Sequence, residues 1–267
     1  MGGNGSVPGR NGLESAQLLL LKEISESANR GVALDEILQR AVEGVADIFG
    51  YDACDVFLLE DDGCLRYAAL AIDSAVKAAV ERLTGLTIIG FRIPLFDGSC
   101  FKEVLDSGRP IVLDDMVRVF EDFTDDKRLR RFAPGVARIV GFKKVLRVPL
   151  ISNGRALGVL GAAVKGDVPL ELPALELFSA HLAVVVERMH LEEQVKEYTR
   201  ELERKVEERT AQLKIAYEKV SAALEELEEK NAELERFNRF MVGRELKMVE
   251  LKKKIKELEA RLMNEKR

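Results

Sequence analysis

Beyond Pro173 the chain has no proline, and beyond Gly166 it has one glycine, Gly243. Proline and glycine are the residues a helix interior tolerates least, at roughly 3 and 1 kcal/mol against alanine. Their near absence over residues 174–267 predicts one uninterrupted helix, about 140 Å long at ~1.5 Å per residue. A helix of that length cannot fold back on a compact core and needs a partner. The sequence therefore predicts a globular head and a helical stalk.

Other scarcities exclude whole classes of protein. Three cysteines (Cys54, Cys64, Cys100) are too few and too irregular for a disulfide framework, so a reduced, intracellular protein is expected. No apolar run approaches the ~20 residues of a membrane span. Met1 to Asn11 is rich in Gly and Asn without an apolar core, so residues 1–12 are expected to be a flexible leader rather than a signal peptide. The net charge of −5 offers no basic field to nucleic acid or anionic membrane. Cytoplasmic localisation is the expectation.

What the chain does contain is unevenly spread. Residues 171–267 hold 20 Lys+Arg and 22 Asp+Glu, so 42 of 97 are charged; residues 1–170 hold 21 and 24, 45 of 170. A dense, nearly balanced charge suits intermolecular ion pairs better than a disordered tail.

Periodicity places the elements of the head. Leu13–Ala28 and Leu34–Phe49 carry apolar residues at helical spacing, ended by Gly31 and Gly50. Cys54–Glu60 and Cys64–Ile72 read as strands about the turn Asp61-Asp62-Gly63. Ser74–Leu83 reads as helix, Leu86–Pro94 as a β-rich run, Ser99–Asp106 as a short helix and Ile111–Leu113 as a strand. Asp115–Gly141 reads as short helices and loops. Lys143–Ser152 and Arg155–Lys165 flank Asn153-Gly154, the preferred pair of a type I′ hairpin. The long helix then starts with Pro173 in its first turn, where no N–H bond is lost. Strands joined by short turns give an antiparallel sheet and an α+β fold, with the terminal helices together on one face.

That order, with Val148-Pro149-Leu150, Asn153-Gly154 and Gly158-Val159-Leu160 ahead of a long helix, resembles the GAF domain family. Gly98-Ser99-Cys100 and Gly108-Arg109-Pro110-Ile111-Val112 match its middle segment, and Leu34–Glu60 its opening helix and first strand. The resemblance covers roughly residues 14–190, with the sensory domain assigned to 13–190 and the signalling helix to 191–267. It implies a sensing pocket between the sheet and the loops of the middle segment. Relatives bind cyclic nucleotides, bilins, haem or small metabolites. The cyclic-nucleotide signature and the Cys-His of bilin attachment are absent, so the ligand or cofactor stays unnamed.

Candidates for that pocket are Phe91, Cys100, Phe101, Phe120, Phe123, Phe132 and Arg147. The phenylalanines either line it or fill the core beneath the loops. Arg147 shares a strand face with Val145 and Pro149; it either meets an anionic ligand or pairs with a carboxylate such as Asp55. Cys100 lies where the free methionine sulfoxide reductases, a GAF-type enzyme family, carry a cysteine, but their further cysteine is missing between Asp115 and Gly141. A buried, apolar Cys100 is the other reading. His181 and His190 sit on the long helix, either as surface or interface residues or as haem or metal ligands. No catalytic or metal set is assigned.

From Thr210 a heptad appears. Thr210, Tyr217, Leu224, Asn231 and Asn238 take one core position; Leu213, Val220, Leu227, Leu234 and Met241 take the other. Two successive core asparagines argue for a parallel, in-register homodimer. The repeat breaks between Leu202 and Leu213 and between Met241 and Met248, before Leu251, Ile255, Leu258 and Leu262 resume a seam. Either break is a relay point or a tolerated irregularity. Val206–Leu213 is similar to the linker before the dimerisation helices of sensor histidine kinases. Leu234–Phe237 and Gly243–Lys247 resemble their phosphoacceptor box, with Arg244 in the place of histidine. The expectation is a non-catalytic sensory protein that senses a small ligand or a redox change. It would signal through a parallel coiled coil to an unidentified kinase or regulator. A ligand-free dimerisation scaffold and a sulfoxide reductase-like enzyme are the alternatives.

Overall fold

The computed structural model describes residues 10–265, with side chains described over 12–259. Most of the expected leader (1–12) and the side chain of Leu262 lie outside those residues. The chain divides into two compact units between Val195 and Lys196.

In the first unit, helices α1 (Arg10–Asn29) and α2 (Leu34–Phe49) precede strands β1 (Ala53–Leu59) and β2 (Cys64–Ile72). Helix α3 (Ser74–Thr84), strand β3 (Arg92–Pro94), helix α4 (Cys100–Ser107) and strand β4 (Ile111–Leu113) follow. Three short helices, α5 (Met116–Glu121), α6 (Lys127–Arg130) and α7 (Ala133–Val140), lead to β5 (Lys144–Ser152) and β6 (Arg155–Val164). Helix α8 spans Leu172–Glu265 without a break. The six strands form one sheet in the order β3-β2-β1-β6-β5-β4, every neighbour antiparallel. The expected α+β class, antiparallel sheet and uninterrupted terminal helix are all present.

Alternation along the strands sorts residues to two faces. Cys54, Val56 and Leu58 of β1, Leu146, Val148 and Leu150 of β5, and Leu160, Ala162 and Val164 of β6 point to one side. There they pack with α1 (Leu20, Ile24, Ala28), α2 (Ile37, Leu38, Ala41) and the start of α8 (Leu175, Phe178, Leu182, Val186). The terminal helices thus share one face, as the periodicity predicts. On the opposite face Phe57, Leu65, Tyr67 and Val159 meet α4, and Ala53, Val145 and Ala163 meet α5.

Local chemistry accounts for the ends of these elements. Asp73 caps α3 by accepting from the Ala75 and Val76 amides, and Ser99 caps α4 through the Lys102 amide. At the β5–β6 turn Asn153 and Gly154 have φ of 50° and 75°, both left-handed as a type I′ turn demands. One expectation needs correcting. Of the β-rich run Leu86–Pro94, Arg92–Pro94 alone is strand. Ahead of it, the Phe91 amide turns back to the Ile88 carbonyl and Gly90 adopts φ 85°. That turn brings the Ile88 and Phe91 side chains inward, while the Gly90 amide and the Phe91 carbonyl still bond to Tyr67 of β2 outside regular strand geometry.

In the second unit, residues 196–259 of α8 are exposed throughout. Leu213, Tyr217, Val220, Leu224, Leu227, Asn231, Leu234 and Asn238 all lie on that exposed surface.

Candidate functional site

A cavity of about 140 Å³ lies between the second face of the sheet and α3, α5 and α7. Its wall is mostly apolar, with Ile72, Val80, Ile88, Val136, Val140 and Phe142 representative, and it also carries the hydroxyls of Thr84, Thr87 and Thr124. The ionisable side chains on it are Asp55, Tyr67, Lys77 and Arg147.

Three of those four form one buried network. Asp55 of β1, Gly161 of β6 and Arg147 of β5 stand in one row across three strands. Arg147 Nη1 donates to Asp55 Oδ1 at 2.5 Å, and the Tyr67 hydroxyl donates to Asp55 Oδ2 at 3.0 Å. The Arg147 side chain is 3% exposed and that of Asp55 13%. The pair bridges directly over Gly161, where any Cβ would collide with both Asp55 Oδ1 and Arg147 Nη1. The guanidinium also lies 4.9 Å from the ring centre of Phe57, 5.1 Å from Phe101 and 5.9 Å from Phe123. Such contacts are worth up to about 2 kcal/mol when desolvated. Burial works against the charge of Arg147, but the Asp55 carboxylate raises its affinity for the proton further. Burial, then the same carboxylate, push the Tyr67 phenol well above its ordinary value. Tyr67 is therefore a hydrogen-bond donor and not a base. Arg147 Nε is buried with no hydrogen-bond partner.

Five of the seven candidates meet at this wall: Phe91, Phe120, Phe123, Phe132 and Arg147. Of the two readings of Arg147, the carboxylate pair is the one found, with the residue named for it, Asp55. Cys100 and Phe101 are not part of the lining and are corrected here. Both belong to α4, which packs behind the wall; Phe101 stacks edge-on against Phe57 and Phe123 at 4.9 and 5.2 Å. The Cys100 amide donates to Asp122 Oδ2 at 2.8 Å, and burial pushes its thiol up to about 12. Cys54 is likewise buried and its thiol raised, chiefly by burial. Neither is a reactive thiolate near neutral pH. His181 contacts Ser25 Oγ at 3.0 Å and His190 contacts Gln194 at 2.9 Å, both away from the lining. Among the described residues no group of three or more His, Cys, Asp or Glu is placed to hold a metal ion.

Sequence reasoning missed Tyr67, Lys77, Val80, Val136 and Val140 as wall residues. Their alternation and helical spacing mark them as inward-facing. Which inward residues border space rather than packed neighbours is decided by how α3 and α7 meet.

The GAF domain profile matches residues 33–186, more than half of the chain. The chain belongs to the GAF domain family. GAF domains are sensory and signalling domains. The GAF domain of an Acinetobacter phosphoenolpyruvate-protein phosphotransferase is similar at 18% identity and TM-score 0.47, over 66% of this chain and 95% of that one. The phycoerythrobilin-bound GAF domain of a cyanobacterial phytochrome is similar at 18% identity and TM-score 0.49, over 67% and 99%. A methyl-accepting chemotaxis protein segment is similar at 19% and 0.47, over 64% and 97%. No curated protein matches the chain. No helix among the described residues is long and apolar enough to cross a membrane.

Proposed function

We propose that this GAF protein is a non-catalytic cytoplasmic sensor. A small ligand in the cavity would bias a parallel homodimer, whose α8 coiled coil is read by a kinase or similar regulator. One observation carries this reading: β5 borders both the cavity and α8. Val145 and Arg147 line the cavity. Leu146, Val148 and Leu150, between and beyond them, pack with Phe178 and Leu182 of α8. The same strand is tied to the helix by Ser179 Oγ donating to the Pro149 carbonyl at 2.5 Å. At its tip, Ser152 Oγ and Asn153 Nδ2 both donate to Glu187 Oε2, at 2.5 and 2.8 Å. An occupant that shifts β5 must shift what α8 rests on. The similarity of Val206–Leu213 to kinase linkers supports a kinase as the reader. The buried, proton-retaining thiols favour a ligand over a redox input and count against a sulfoxide reductase.

The scaffold reading draws support from the mostly apolar wall, which suits a strongly polar ligand poorly. The two are separated by what the protein carries. Mass spectrometry after denaturation is expected to release one small molecule per chain, whereas a scaffold releases none. The dimer is tested with Asn231→Cys in a Cys64→Ser background. Disulfide-trapped dimers are expected, and their yield should change when the cavity is filled by Val136→Phe. A chain that stays monomeric would sink the relay.

A further inference from the structure

We propose that the cavity takes a small amphipathic acid of roughly ten non-hydrogen atoms, with an apolar body and one carboxylate that meets the ammonium of Lys77. This names the ligand class of the sensor reading and rests on it.

The apolar body follows from the space. A water needs about 10–15 Å³ of such space, so a cavity of about 140 Å³ has room for about ten water-sized groups. A nucleotide or a tetrapyrrole is far larger. Phe91, Phe120, Phe123 and Phe132 line the cavity and suit a ring or a branched alkyl group.

The charge follows from what the wall leaves unpaired. Asp55 is the one carboxylate lining the cavity among the described residues, and it gives its oxygens to Arg147 and Tyr67. Lys77 has no such counter-charge. It shares a stripe of α3 with Val80 and Thr84, at spacings of three and four, and all three line the cavity. The residue is half-buried and makes no ion pair among the described residues. Glu81, one turn further along α3, accepts from the Ile88 amide at 3.1 Å instead. Two further cations stand against wall residues. The Arg131 guanidinium lies 5.0 Å from the ring centre of Phe132, and Arg130 Nε donates to the Thr124 carbonyl at 2.9 Å. Neither arginine makes an ion pair among the described residues.

An apolar wall with one unspent cation selects the opposite charge. A carboxylate at Lys77 gains a charge-assisted hydrogen bond at a half-buried site, where salt and water screen it less than at the surface. It also leaves the Arg147–Asp55 pair whole; drawing that guanidinium away would strand a buried carboxylate. A cationic ligand would meet Lys77 with like charge. The hydroxyls fit an acceptor as well. Thr84 Oγ1 is satisfied, donating to the Val80 carbonyl and accepting from the Leu86 amide, whereas Thr124 Oγ1 accepts from the Asp126 amide and keeps its proton to donate.

The test uses the full chain and four probes: 3-phenylpropionate, its neutral isostere 3-phenylpropanamide, the cation 3-phenylpropylammonium, and acetate, which is the head without the body. Affinities are measured by calorimetry or ligand-observed NMR. 3-Phenylpropionate is expected to bind about tenfold more tightly than the amide, the worth of one hydrogen bond to a charged donor. The ammonium and acetate should bind more weakly than either, and added salt should narrow the acid's advantage. Lys77→Met keeps an aliphatic stem but deletes the charge, and should erase that advantage while amide binding holds; Lys77→Arg should retain it. Equal affinity for acid and amide, acetate binding as tightly as 3-phenylpropionate, or an advantage that survives Lys77→Met would overturn the ligand class while leaving a sensor in place. Denaturing the purified chain separates the two readings. Release of an acid of this size supports both, and release of a neutral or cationic molecule overturns the class alone. If no probe binds and nothing is released, both readings fail.

Discussion

A guanidinium and a carboxylate share the space above one glycine, and that sharing sets residue-scale tolerance in the head. Gly161→Ala places a Cβ where Asp55 and Arg147 meet. Overpacking and a disturbed buried pair together are expected to cost about 3 kcal/mol or more, read as a lower urea midpoint. Arg147→Met alone strands Asp55 and should cost roughly 3–5 kcal/mol. The double change Arg147→Met with Asp55→Leu should recover much of that loss, because it leaves no unpaired charge; simple addition of the single effects would contradict the pairing. The buried protons make a separate prediction. Burial lifts the Cys100 thiol from 9.0 to about 12 and the Tyr51 phenol from 10.0 to about 12. In both cases the folded state keeps a proton that the unfolded state has lost, so stability falls as pH rises through that window. The contribution is intact below pH 9. Thermal melts should therefore decline between about pH 9 and 11, with a shallower decline in Cys100→Ala. A flat profile there would rule the effect out.

At the scale of elements, the β5–β6 hairpin depends on a turn whose two residues both hold positive φ. Gly154→Val places a β-branched residue at φ 75°. A loss of about 1–2 kcal/mol is expected, measured by denaturant unfolding. An unchanged midpoint would mean that the turn does not determine the register. This hairpin was legible in the sequence because its signal is local: two alternating runs about Asn153-Gly154. Helix α2 was legible for the same reason, with its apolar spacing and its stop at Gly50. Leu86–Pro94 was misread because strand-forming residues also serve a loop that buries its side chains, and only pairing with β2 separates the two cases. Of the site, the aromatic side chains and the Arg147–Asp55 alternative were legible, since alternation orients a strand residue. Cys100 was misplaced because its tripeptide says nothing about which side of α4 borders open space. Tyr67 and Lys77 could be read as inward-facing but not as wall residues, since strand register and helix placement decide which inward residues border the cavity.

For the molecule as a whole, exposed apolar surface is where the proposed second copy is expected to sit. In the first unit Leu177, Val184 and Leu191 are each more than half exposed and seven residues apart, the spacing of a coiled-coil seam. Val184→Lys with Leu191→Lys is expected to weaken the proposed dimer about tenfold or more in sedimentation measurements. No change in association would remove this face from the interface. The sheet points the same way from its two margins. Both outermost strands, β3 and β4, are three residues long; one ends on Pro94 and the other follows Pro110. A further strand seeking a ladder would find too few free amides and carbonyls to hold it. Fibre-like growth through the sheet is thereby discouraged, which leaves the proposed self-association to the helices.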